Sequence, residues 1–114
     1  MNELNKKNLD ELLSIGGQDL VIELIHLFID ESIHVIQKLN QVVGKDQQEV
    51  IGQIAHKLKS SSGSLGLSEM SELCFKIDTK HRNSDQITSL DVEQLILAIQ
   101  LGRELLLSYK KTII

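Results

Sequence analysis

Proline is absent from the chain's 114 residues, and nothing in the backbone therefore forbids long uninterrupted helices. Tryptophan is also missing, and two Phe and one Tyr make up the whole aromatic complement. The interior must be built from Leu, Ile and Val, which suits side chains interdigitating between helices. Positive charge is in the minority: 12 Lys and Arg stand against 16 Asp and Glu, for a net charge of −4 and a pI near 5.5. A duplex phosphate backbone would on average be repelled, so nucleic acid is not an expected partner. A single cysteine, Cys74, can form no internal disulfide. Its place among the apolar positions of "MSELCFKI" suits a small buried hydrophobe in a reducing compartment. The N-terminal "MNELNKKNLDELL" has no apolar core of a leader peptide, and no run approaches the roughly 20 apolar residues of a membrane span. A cytoplasmic protein with no membrane partner is expected.

What is present is an ordinary globular mixture, 41% hydrophobic and 25% charged, in a length suited to one core and one domain over residues 1–114. Glycines and capping residues punctuate it. A short helix is predicted over "LDELLSI", stopped at Gly16 and Gly17. Asp19 is placed to cap a long helix to about Val43, with Gly44 as its stop, and Asp46 a third helix from about Gln47 to Leu65, ended by Gly66. Ser68 would cap a fourth through Arg82, and "NSDQITS" leads into a fifth from about Leu90 to Lys111. Connections this short force neighbouring helices to run antiparallel. The fold class predicted is all-α, an antiparallel up-and-down four-helix bundle with a short additional N-terminal helix. The initiating Met and the full helix set favour an independent protein over a domain cut from a larger one.

The run "IAHKLKSSSGSLGLS" at 54–68 has the composition of a linker, but its apolar residues keep a helical period. At roughly 100° per residue, Ile51, Ile54, Ala55, Leu58, Ser62 and Leu65 fall on one core stripe. Gly52, His56, Lys59, Ser60 and Gly63 then share the outward side. Small residues there cost the helix roughly 2 to 3 kcal/mol of intrinsic propensity. Their use lies in leaving His56 unshielded, so that another protein's backbone can approach. Neutral imidazole is a competent nucleophile near neutral pH. Phosphoryl transfer spreads negative charge over the peripheral oxygens, which a neighbouring ammonium such as Lys59 stabilises. A solvated His and Lys on an outer face is the plain alternative.

These residues closely resemble the signature of the histidine-containing phosphotransfer (HPt) domain of bacterial multistep phosphorelays, A-H-x-L-K-G-S-S-x-x-L-G. The matches are Ala55, His56, Leu58, Lys59, Ser61, Ser62, Leu65 and Gly66, and the downstream "SELCFKID" resembles the family's following helix. The resemblance implies that His56 accepts a phosphoryl group from an aspartyl phosphate on one receiver domain and passes it to an aspartate on another. Lys59 would stabilise the phosphate. It further implies receiver domains of a hybrid sensor kinase and of a response regulator as partners, with magnesium on the receiver and no cofactor or metal on this chain, and a monomer is expected. A polar side chain on the next helix commonly fixes the imidazole tautomer in such domains, and by offset that place falls to Asp78. Gln or Glu is more usual there, Asp is shorter, and membership of a charged exposed face is its alternative reading. Arg82, one turn on, is a candidate second phosphate contact, with a solvated surface residue as the favoured alternative. Ser60 replaces the usual Gly yet is still small, and Leu67 is a candidate for apolar contact with a partner.

Two Glu-x-x-His spacings, at Glu23/His26 and Glu31/His34, resemble those of di-metal bundles, but both lie on one helix where such a site needs different helices. No P-loop, nucleophile elbow, H-E-x-x-H or dinucleotide fingerprint occurs, and no room is left for an ATP-binding kinase domain. The expected function is therefore a phosphohistidine carrier rather than an autonomous enzyme. A helical adaptor that docks a signalling partner without covalent chemistry is the alternative.

Overall fold

A computed structural model of the chain describes residues 4–42 and 45–114. Within these the chain forms α1 (Lys6–Val42), α2 (Gln48–Ser64), α3 (Ser68–Arg82) and α4 (Ser89–Ile113). Each helix packs on its neighbours in sequence, and α4 returns to pack on α1, closing the four-helix bundle. The additional N-terminal helix is the first part of α1, separated at Gly17, whose backbone (φ 79°, ψ −178°) is open only to glycine. The predicted stop at Val43 and Gly44 lies outside the described residues.

Two predicted caps differ in detail. Gln47 and Leu67, not Asp46 and Ser68, are the residues flanking α2 and α3, and neither makes a side-chain cap. Both ends are tied by long-range contacts instead. Gln48 at the head of α2 reaches the α3–α4 connection: its Nε2 donates to the Ile87 carbonyl (3.0 Å), and the Ile87 N–H donates to its Oε1 (2.7 Å). Before α3, Leu67 is buried and pairs with Leu4, while Asn5 N–H donates to the Gly66 carbonyl (2.7 Å). Gly66 holds φ +77°, and a Cβ there would strike the Asn5 carbonyl. The expected docking role of Leu67 is thereby corrected, because the N-terminal segment covers it. The head of α4 has a full capping box: Thr88 Oγ1 accepts from the Asp91 N–H (3.1 Å), and Thr88 N–H donates to Asp91 Oδ2 (2.9 Å).

The core is aliphatic. Leu9, Val21, Ile25, Phe28 and Leu39 of α1 meet Ile51, Ala55 and Leu58 of α2, Met70, Cys74 and Ile77 of α3, and Val92, Leu95, Ile99 and Leu106 of α4. Ser62 sits in this stripe at no cost in unpaired polarity, since its hydroxyl donates to the Leu58 carbonyl one turn back (2.7 Å). By length and composition α1 could cross a membrane, with a mean hydropathy of 1.6 over 18 residues. That departs from the expectation of no such run, which weighed unbroken apolar stretches and not a window average that tolerates acidic residues. In the fold Leu9, Val21, Ile25, Phe28, Leu39 and Val42 of α1 are buried in the bundle, while Ile15, Leu27 and Ile33 are exposed.

Candidate functional site

His56 projects from the middle of α2 with 70% of its side chain exposed, held there by the buried Ala55 and Leu58 on either side. Helix α3 runs alongside and supplies Asp78, whose carboxylate is 3% exposed. The shorter Asp reaches: its Oδ1 lies 3.2 Å from His56 Nδ1, and its Oδ2 accepts from Lys59 Nζ at 2.8 Å. Arg82 Nη2, one turn further along α3, stands 3.5 Å from the same Oδ2. Asp78 therefore belongs to the interhelical seam and not to an exposed charged face.

Electrostatics settle which way the imidazole points. The Lys59 hydrogen bond holds the Asp78 carboxyl below the ordinary carboxylate range against the opposing effect of burial, with the charges of Lys59 and Arg82 and the His56 contact adding to it. An ionised carboxylate only accepts hydrogen bonds, so His56 Nδ1 carries the proton and donates it. Nε2 is left with its lone pair on the open side. That is the form a nucleophilic imidazole needs.

Lys59 is more confined than an outward face implies. Its side chain is 29% exposed, its ammonium is bonded to Asp78, and it lies 5.8 Å from the centroid of the Phe75 ring, within cation–π range. Arg82 is exposed, as its solvated reading expects, and its guanidinium lies at the edge of the cluster.

The small residues divide into two kinds. Ser60 is exposed beside His56 and leaves that flank bare. Gly52 is buried, a correction to its outward placement, because the His81 ring of α3 occupies the space where a Cβ would stand. His81 Nε2 lies 3.0 Å from Glu49 Oε2, so that ring is clipped across the first turns of α2. Gly63 is partly buried: a Cβ there would touch Ser71 of α3, and its carbonyl accepts from Asn8 Nδ2 (2.7 Å). Gly52 thus lets α3 approach α2 closely, whereas a side chain at Gly63 would make only ordinary contact.

Sequence reasoning missed Phe75. It is 56% exposed and neighbours Lys59, an apolar contact point next to the imidazole. Its signal was available: on α3 the buried Met70, Cys74, Ile77 and Asp78 share one side, and Phe75 falls well off that stripe.

Two surface hollows among the described residues lie away from His56. The larger, of 440 Å³, is lined by Val42, Gln48, Ile51, Ile87 and Val92 among others, and the second, of 250 Å³, lies between α3 and α4 around Leu73 and Leu97. The imidazole stands on an open flank, as fits a macromolecular partner better than an enclosed small substrate. Among the described residues, no group of three His, Cys, Asp or Glu side chains could hold a metal ion. His26 of the first Glu-x-x-His spacing instead accepts from Lys110 Nζ (2.8 Å).

Known proteins resemble this chain in sequence and in fold. The model of the Hpt domain family matches residues 23–105. The phosphorelay protein LuxU of Vibrio harveyi is 28% identical over 102 residues, covering 89% of this chain and 90% of LuxU. In fold, the chain is similar to the crystal structure of histidine-containing phosphotransfer protein B from Pseudomonas aeruginosa PAO1, with a TM-score of 0.82 at 16% identity over 96% of this chain and 95% of that one.

Proposed function

Because the chain belongs to the Hpt domain family and works as a phosphotransfer intermediate in a multistep phosphorelay, we propose that His56 Nε2 is the atom that carries the phosphoryl group. The observation that supports this most directly is the pairing of an exposed imidazole with a buried Asp78, whose Oδ1 lies 3.2 Å from Nδ1 and leaves Nε2 on the open side. The donor is the aspartyl phosphate of a receiver domain and the acceptor is the aspartate of another. In our reading these belong to a hybrid sensor kinase and a response regulator that this chain, as a cytoplasmic monomer, visits in turn. Magnesium chemistry belongs to the receivers.

During transfer Asp78 keeps the imidazole in one tautomer and one orientation, so that no reorganisation is needed when phosphorus approaches. Lys59 and Arg82 place positive charge beside the phosphoryl oxygens as negative charge spreads over them. Ser60 and Phe75 form the surface on which the receiver seats, the first by leaving room and the second by offering apolar area. Binding of modest strength suits a carrier that must leave one partner for the next.

The test is to incubate the protein with a phosphorylated receiver domain and follow the label. An acid-labile, base-stable adduct is expected on the wild-type chain and none on a His56→Gln variant. Undiminished labelling of that variant excludes His56 as acceptor. Receiver binding with no labelled wild-type chain would leave the non-covalent adaptor.

A further inference from the structure

Asp78 does more than an imidazole N–H requires. A neutral carboxamide oxygen could also accept that proton, though more weakly, yet the acceptor here bears a full negative charge that also takes Lys59 at 2.8 Å and faces Arg82 at 3.5 Å on Oδ2. The carboxylate is buried between α2 and α3, so it depends on these cations for compensation. Both cations expected to serve the phosphoryl group are thus already engaged when His56 is unmodified.

Resting on the assignment of His56 as acceptor, we propose that Asp78 is a counter-ion competing with the phosphoryl group for Lys59 and Arg82, which keeps the phosphoryl group loosely held and quickly handed on. It acts as a positioning residue, through the cations and the ring.

The chemistry runs as follows. The Nε2 lone pair forms the N–P bond while the P–O bond to the donor carboxylate breaks, its electron pair leaving with that carboxylate. The Nδ1 proton stays, donated to Asp78 Oδ1, so the ring with both nitrogens substituted is cationic. The phosphoryl oxygens now compete for Lys59, which sits one turn from His56 on α2, and for Arg82. Whatever share of these cations they gain, the buried carboxylate loses, and it regains that share when the phosphoryl group departs. In onward transfer a carboxylate oxygen of the accepting aspartate forms the new P–O bond as the N–P pair returns to Nε2, and His56 leaves as a neutral imidazole because Nδ1 has kept its proton. A neutral residue at 78 would leave Lys59 and Arg82 wholly to the phosphoryl group, giving a longer-lived and more reluctant donor.

The experiment uses the full chain, a receiver domain charged with labelled acetyl phosphate and a second, uncharged receiver domain. Asp78→Asn retains an oxygen for the Nδ1 proton and removes the charge. Its adduct is expected to survive hydrolysis at least threefold longer than wild type and to pass its phosphoryl group on at least threefold more slowly, with Asp78→Glu returning both toward wild type. In a chain also carrying Lys59→Ala and Arg82→Ala, Asp78→Asn should change neither quantity. Unchanged hand-on by Asp78→Asn, or the same effect without the two cations, overturns the proposal. Loss of His56 as the labelled residue is a separate result, read from His56→Gln. Should Asp78→Asn fail to fold, the Lys59 ammonium resonance of the wild-type chain decides: it must shift when His56 is loaded with phosphoramidate, and an unmoved signal overturns the exchange.

Discussion

Replacing Lys59 by Ala is expected to destabilise the fold by about 2 kcal/mol at pH 7, although substitutions on an exposed flank ordinarily change stability by less than about 0.5 kcal/mol. The reason is the partner left behind. A hydrogen bond to a charged group contributes about 1.5 to 3 kcal/mol, and removing one member of a buried ion pair costs about 3 to 5 kcal/mol. Arg82 and His56 remain at 3.5 and 3.2 Å, and Lys59 is itself 29% exposed, so the lower end applies. The lost contact with the Phe75 ring adds about 0.5 kcal/mol, and the better helix propensity of Ala returns a few tenths. Urea unfolding followed by far-ultraviolet circular dichroism measures the difference, and the thermal midpoint should fall by roughly 5 to 10 °C. The pH dependence carries a second check. Asp78 has a folded-state pKa below its unfolded one, so its stabilisation is complete above the unfolded value of about 4 and is lost as pH falls through the folded value. The deficit of the Ala variant should therefore begin to narrow as pH falls below about 4 and close only as pH passes through the lower folded value, where Asp78 becomes protonated in both chains. A deficit under about 0.5 kcal/mol at pH 7, or one equally large in acid, refutes the buried-pair reasoning.

Gly66→Ala should cost more than about 2 kcal/mol in chemical denaturation, because φ +77° disfavours a side chain and the new Cβ strikes the Asn5 carbonyl. Gly17→Ala has a similarly unfavourable backbone but open space around it, and should cost less. Thr88→Ala removes the side-chain acceptor from the head of α4 and should cost about 1 kcal/mol, whereas Thr88→Ser keeps the oxygen and should stay close to wild type by the same measurement. The Cys74 thiol, pushed up to about 12 chiefly by burial and further by Asp78 against the pull of Lys59, should resist a disulfide reagent in the native protein at pH 8 and react fully in concentrated urea.

Much of the fold was legible in local pattern. The period of Ile51, Ala55, Leu58, Ser62 and Leu65 identified α2 through a serine run that composition alone would assign to a loop, and the glycine pair at 16 and 17 located the break in α1. His56 was legible for the same reason: its angle on the helix followed from the stripe. The caps at Asp46 and Ser68 were misread because Gln48, Leu4 and Asn5 settle those helix ends from distant parts of the chain. Gly52 and Gly63 read as a bare face, since a single-helix projection shows which residues are small and not which neighbour fills the space beside them. The His81 ring and Ser71 do so. Lys59 was foreseen as open and is pinned, for the same lack of a second helix in the projection.

The sequence by itself thus determined that the chain is helical, where its core stripes run, and that one histidine stands on an outward flank, because these depend on the order of residues along a single helix. Only the tertiary structure decided what surrounds that histidine. The distance from α2 to α3 and their relative rotation bring Asp78 to within 3.2 Å of the ring and place Lys59 and Arg82 around one carboxylate. That geometry arises from packing two helices whose facing residues lie about twenty positions apart, a separation across which no local periodicity carries information.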